Sequence, residues 1–175
     1  MPNKPQAPTR IFEGAELLFR NFRGVGPPEK KFNAEGDRNF NLVIPTELVE
    51  EMMAEGWNVK CLRPFEEGDE PKCIVEVAVE YRKGMPPNIT MLTSRGRTRL
   101  TADTVGSLDH ATILNADIII RGSHWDVNGR QGIKAYCQTM FVEIYEDPLE
   151  LKYSETPEDV YTEDTPPFEP DKPAF

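Results

Sequence analysis

The sequence predicts an all-β chain with one short helix, arranged as a small closed or partly closed barrel and followed by an acidic tail. Three observations predict it. Residues 116–146 read as one long hairpin: Asp117-Ile118-Ile119-Ile120-Arg121-Gly122-Ser123-His124-Trp125 and a second arm from Gly132 to Tyr145 flank Asn128-Gly129. That dipeptide suits the positive φ angles of a tight hairpin turn. Elsewhere, roughly six to eight short strand-like stretches accompany one helix signal, which disfavours a doubly wound α/β fold and favours a closed sheet without edges. From Asp147 onward the chain is acidic and proline-rich, with too little apolar surface to offset the entropy of ordering.

Taken in order, residues 1–11 form a Pro-rich leader expected to be mobile. Ala15 to Phe22 reads as a first strand, and Arg23 to Asp37, with three glycines and two prolines, as a loop carrying Arg23, Lys30, Lys31 and Phe32. Arg38 to Ile44 alternates, with Phe40, Leu42 and Ile44 on one side, the pattern of a half-buried strand. Pro45 closes it. Thr46 is the expected N-cap of a helix over Glu47 to Glu55, and Gly56 its terminator. Leu48 and Met52, with Val49 and Met53 beside them, give that helix its apolar face. Trp57 to Leu62 and Cys73 to Tyr81 are further strands, the second with Val75, Val77, Val79 and Tyr81 pointing one way. Gly84 to Asn88 is a turn, Ile89 to Thr93 a short strand, and Ser94-Arg95-Gly96-Arg97 a basic turn. Residues 103–112 hold at most one helical turn.

The composition excludes several classes. No stretch approaches 18 apolar residues, so no transmembrane helix and no membrane partner are expected, and residues 1–8 lack the apolar core of a signal peptide. The three cysteines, Cys61, Cys73 and Cys137, have no CxxC spacing, and a reduced, cytoplasmic chain is the simplest reading. The sequence contains no GxxxxGK[ST], HExxH, GxSxG or strand-linked GxGxxG motif, so an enzyme is not expected. Asp103, Asp109, His110 and Asp126 could be assembled into a nuclease-like metal site, but turn and capping roles suit them better. No metal and no cofactor are expected.

Charge distribution carries more than net charge. The total is −10, yet residues 143–175 hold 11 of the 30 acidic and 2 of the 20 basic side chains. The body is therefore close to neutral, and Tyr81 to Ala102 carries Arg82, Lys83, Arg95, Arg97 and Arg99 with no acid. Such a cluster on a sheet would track phosphates with a salt-dependent, sequence-independent affinity. Arg121, Arg130 and Lys134 add charge along the hairpin. Trp125 and Tyr136 flank its turn and are the preferred rings for stacking bases, with Phe32 a third. Ala135, Cys137, Phe141 and Tyr145 share one parity of the last strand, and Tyr136, Met140, Val142 and Ile144 the other. Both faces are partly apolar, so one of them either is covered or presents rings to a ligand. In the tail, Phe168 and Phe175 lie among carboxylates, a combination that suits a partner pocket with an apolar floor and a basic rim.

Ile118-Ile119-Ile120-Arg121, Trp125-Asp126-Val127-Asn128-Gly129 and Gly132-Ile133-Lys134-Ala135-Tyr136, with Leu18-Phe19-Arg20-Asn21-Phe22, Phe32-Asn33 and Asn39-Phe40 upstream, resemble the single-stranded DNA-binding proteins of tailed bacteriophages. In that group an OB-type barrel carries an acidic tail ending in phenylalanine. The resemblance implies an OB-fold-like domain over 12–146 and a partner-recruiting tail over 147–175. It implies a DNA groove built from Arg95, Arg97, Arg121, Lys134, Trp125 and Tyr136, with Phe175 as the tail anchor. It further implies single-stranded DNA, replication or recombination proteins as partners, and the cytoplasm of an infected bacterial cell. The prolines and Lys172 interrupt what in that group is a more solid acidic run. A homodimer, a protein-interaction module that binds or inhibits a host factor, and an RNA-binding barrel remain open readings.

Overall fold

The computed structural model describes residues 8–24, 37–64 and 67–153. The chain divides into two units, Met1–Tyr145 and Glu146–Phe175. In the first, nine strands form one sheet: β1 (Thr9–Phe12), β2 (Leu17–Asn21), β3 (Asn39–Ile44), β4 (Val59–Cys61), β5 (Cys73–Ala78), β6 (Asn88–Thr93), β7 (Gly96–Leu100), β8 (Ile113–Val127) and β9 (Arg130–Ile144). The main path runs β1-β8-β9-β5-β3-β2, with β4 on β5 and β6 joining β7 to β9.

The sheet is open, which corrects the expected OB-like barrel. Among the described residues no ladder joins β1 to β2, the two ends of the path. These strands are consecutive in sequence but serve opposite ends: β1 pairs β8 and β2 pairs β3. Gly14, at φ 61°, turns the chain between them. Closure would need one continuous strand or a further ladder at that point. The expected leader is also shorter, because Thr9 already pairs with Arg121.

The hairpin of β8 and β9 is the longest feature, and its turn has the predicted chemistry. Asn128 and Gly129 take φ values of 53° and 79°, the paired left-handed geometry that a two-residue turn needs to match strand twist. Phe40, Leu42 and Ile44 of β3 and Val75 and Val77 of β5 are buried, as their alternation requires. They meet Ile118, Ile120, Ala135, Met140 and Val142 from the hairpin in one core that includes the stacked pair Phe22 and Phe40.

Helix α1 (Thr46–Glu55) begins one residue earlier than expected. Pro45 holds the N-cap position and no side chain caps it, so Thr46 is helical and the expected N-cap role does not hold. Gly56 ends the helix in the left-handed conformation, its N–H donating to the carbonyls of Met52 and Met53. Met52 is fully buried and docks the helix. Glu55 accepts from the indole Nε1 of Trp57 at 2.8 Å and pairs with Arg10 of β1, which also reaches Glu51. Residues 105–109 form one 3-10 turn. In the second unit, α2 (Pro148–Tyr153) interrupts what reads as an unstructured tail. Asp147 accepts from the N–H groups of Leu149 and Glu150, and proline in the first turn needs no N–H partner.

The reduced-chain reading is also overturned: Cys61 and Cys73, opposite each other on β4 and β5, form a disulfide. Cys137 remains a free thiol, buried and pushed up to about 12 by that burial. Native protein without reductant is therefore expected to give no rapid thiol labelling, and unfolded protein one thiol. Rapid labelling of Cys61 in the native state would contradict the pairing.

Candidate nucleic-acid interface

The site follows from one irregularity in β9. Ile119 pairs with Thr139 but Ile120 pairs with Cys137, leaving Gln138 without a partner. This β-bulge shifts the strand's alternation by one residue. Ile133, Ala135 and Cys137 face the core before it, and Met140 and Val142 after it. Strict parity places Tyr136 and Phe141 on opposite faces. The bulge puts both on the outer one. That resolves why each face of this strand reads as partly apolar.

The outer face gathers cations around the first of these rings. Arg121 lies directly across the β8–β9 ladder from Tyr136. The charged groups of Lys134, Arg121 and Lys83 stand 5.2, 5.9 and 5.9 Å from the Tyr136 ring centroid, within the range of cation–π attraction. On the other flank the neighbour is Ala78 of β5, too small to cover the ring. Beyond the bulge, Arg97 stands 6.0 Å from the Phe141 centroid, and Phe141 is 37% exposed. Arg97 and Arg99 of β7 lie opposite Leu92 and Thr90 of β6, and Thr90 is the neighbour of Phe141. These residues continue the same face, and Arg99 is held there by Asn88.

Lys83 reaches Tyr136 because β9 changes partner at the bulge. β5 runs parallel to it as far as Ala78, opposite Tyr136, and β6 resumes in the same direction at Asn88, opposite Thr139. Residues 79–87 leave the sheet in between. Their stem is fixed by Arg82, whose guanidinium contacts Glu80 at 2.8 and 2.9 Å and Asp37 at 3.2 Å. The Arg82 hydrogen bond holds the Glu80 carboxyl at about 2, well below its usual 4.5, so the pair stays ionised at any ordinary pH. The break opens a cleft of about 690 Å³ lined by Lys83, Met85, Arg121, Ser123, His124 and Tyr136, among others.

The predicted residues therefore separate into groups. Lys83, Arg121, Lys134 and Tyr136 converge. Arg97 and Arg99 extend the face, and Arg95 sits in the β6–β7 turn next to them. Among the described residues none of these cations forms an ion pair with a carboxylate, whereas Arg82 is paired and serves as an anchor. Trp125 is 40% exposed and lies across Gly132, its ladder partner, where a Cβ would come within 2.6 Å of the indole. Four ladder steps separate it from Tyr136, about 13 Å at 3.3 Å per residue. Arg130 is at the exposed hairpin tip. Phe32, Phe168 and Phe175 lie outside the described residues. Asp109 is occupied by the backbone N–H groups of Phe22 and Arg23, and Asp126 lies on the hairpin opposite Gln131. Among the described residues no cluster of three metal-ligating side chains exists, and no helix is long and apolar enough to cross a membrane. Sequence reasoning missed the pairing of Phe141 with Arg97 and the place of Met85 in the lining of the cleft. The polar Gln138-Thr139 pair inside an apolar strand was the signal for the bulge.

An open sheet face that presents aromatic rings among cations has the chemistry to stack bases and hold phosphates. A family model described as "Putative phage ssDNA-binding domain" matches residues 4–171. The chain belongs to this family of phage single-stranded DNA-binding domains. Among solved structures, the single-stranded DNA-binding protein from bacteriophage Enc34 is similar in three forms. The free protein has 12% identity and a TM-score of 0.48, over 80% of this chain and 83% of that one. Its complex with single-stranded DNA has 10% identity and a TM-score of 0.48, over 80% and 88%. A C-terminal truncation has 10% identity and a TM-score of 0.46, over 80% and 86%. No curated protein matches the sequence.

Proposed function

We propose that the outer face of β9 is where this chain holds single-stranded DNA, without sequence preference, and that the acidic tail recruits replication or recombination proteins to the coated strand. The convergence of Lys83, Arg121 and Lys134 on Tyr136 carries the first part. Guanidinium and ammonium groups hold phosphates while the ring accepts a base of any identity, a stacking contact worth about 1–3 kcal/mol. Duplex DNA hides its base faces and gains only the electrostatic part. The tail reading is supported by the charge division, with 11 acidic against 2 basic side chains after Phe141-Val142, and by Phe168 and Phe175 among them.

Fluorescence polarisation with labelled single-stranded DNA, RNA and duplex at two salt concentrations tests this. Expected are tight single-stranded DNA binding that weakens with salt, and equal or tighter binding once residues 147–175 are removed. Loss of single-strand binding on that truncation would overturn the assignment to β9. A clear preference for RNA would favour the RNA-binding alternative.

A further inference from the structure

We propose that the cleft at the break between β5 and β6 is a single-nucleotide pocket. It takes one base out of the strand's own stack and holds it between the Tyr136 ring and the Met85 side chain. This rests on the reading of the outer face as the single-strand site.

Three features of the cleft support a pocket over a flat platform. First, it has two walls. Tyr136 belongs to the sheet, and Met85 to the excursion of residues 79–87. Met85 is 66% exposed, although a long apolar side chain on an exposed loop gains nothing unless something packs on it. A flexible thioether against one face of a planar ring and an aromatic against the other is a favourable sandwich. Second, Arg121 bridges the walls. Its Nη1 donates to Met85 Sδ at 2.7 Å while its guanidinium stands 5.9 Å from the Tyr136 centroid. A base entering between them displaces a weak sulfur acceptor and frees the guanidinium for the adjoining phosphate, a stronger partner. Third, the remaining chemistry fits a nucleotide. Lys83 provides a second phosphate contact, Ser123 and His124 line the cleft with polar groups, and its one carboxylate, Glu80, is engaged by Arg82. The volume of about 690 Å³ lies within the usual range for small-ligand sites. Because the stem is pinned by Arg82 to Glu80 and Asp37, Met85 is carried on a fixed base into the cleft that Tyr136 also lines.

The pocket makes base and backbone contributions separable. Full-length protein and the variants Tyr136→Ala, Met85→Ala, Met85→Leu and Lys83→Ala are titrated by fluorescence anisotropy. The probes are an oligothymidylate and a wholly abasic deoxyribose-phosphate oligomer of the same length. Tyr136→Ala is expected to weaken oligothymidylate binding about 5- to 150-fold, and Met85→Ala by about threefold or more. Neither changes affinity for the abasic oligomer. Met85→Leu, which keeps an apolar wall, restores oligothymidylate affinity, and Lys83→Ala weakens both probes by the same factor. If Met85→Ala leaves oligothymidylate binding unchanged, or lowers both probes equally, the pocket is overturned, while a base-selective loss in Tyr136→Ala still supports the platform. If wild-type protein binds neither oligomer, the underlying reading fails with it. Thermal melts of each variant confirm that the fold is retained.

Discussion

Replacing Lys83, Arg121 and Lys134 together by alanine is expected to weaken single-stranded DNA binding by about two orders of magnitude at low salt, at about 1 kcal/mol per charged contact. All three surround one ring and none is in an ion pair among the described residues, so each is available to a phosphate without first giving up a carboxylate. Single-stranded DNA releases about 0.7 counterion per phosphate neutralised, so the slope of log affinity against log salt should shrink by about 2. The loss should be largest at low salt and nearly vanish at high salt, where stacking on Tyr136 remains. Lys83 and Lys134 are exposed and Arg121 half-buried, so thermal stability should hardly change. Lys72→Ala, which removes only the exposed pair with Glu16, is the matched control and should leave binding intact. Equal losses in both proteins, or an unchanged salt slope in the triple variant, would show that phosphates are held elsewhere.

Gly122→Ala should have the largest effect on stability. Gly122 lies on β8 across from Ala135, with its N–H donated to the carbonyl of Pro8 at 2.7 Å. A Cβ there would come within 2.5 Å of Ile133 Cγ2, 2.8 Å of Pro8 Cγ and 2.9 Å of Trp57 Cη2. Ile133 and Trp57 are almost fully buried, so neither can turn aside without disturbing the core. Overpacking of this kind costs about 2–3 kcal/mol. For a chain of this size that corresponds to a melting temperature lower by about 5–10 °C. The strain also falls at the junction of α1, β1 and β9, where Ile133 donates its N–H to the carbonyl of Gly56. Differential scanning calorimetry reads the effect directly, and a melting temperature within a degree of wild type would contradict the packing described.

How much of this was legible beforehand depended on range. The β8–β9 hairpin, its Asn128-Gly129 turn and the alternation of β3 and β5 are local signals, and all appear in the structure. Local chemistry also gave Gly56 as the end of α1. Closure was not legible, because it depends on whether β1 and β2 pair at the far ends of the sheet, and Gly14 between them decides that. The Cys61–Cys73 bond was missed because cysteine count and spacing say nothing of strand register, and register is what places the two opposite each other. In the site, basic residues and rings were recognisable by type, but their grouping was not. Tyr136 and Phe141 differ in parity, and only a bulge at Gln138 puts them on one face. Arg82 and Lys83 are adjacent in sequence, yet one anchors the excursion through Glu80 and Asp37 and the other leans over Tyr136. Such a division of roles follows from where β9 exchanges β5 for β6, which no residue of the excursion announces.

On the proposed reading, a single strand lies on the outer face of β9. Photocrosslinking the full-length protein to a 5-iodouracil-substituted single-stranded oligonucleotide, followed by mass spectrometry of the adducts, tests it most directly. Adducts are expected on Tyr136, together with Phe141 or Trp125, competed away by unlabelled single strands and not by duplex. Adducts confined to rings off that face, such as Phe19 on β2, with Tyr136 and Phe141 unmodified, would contradict it.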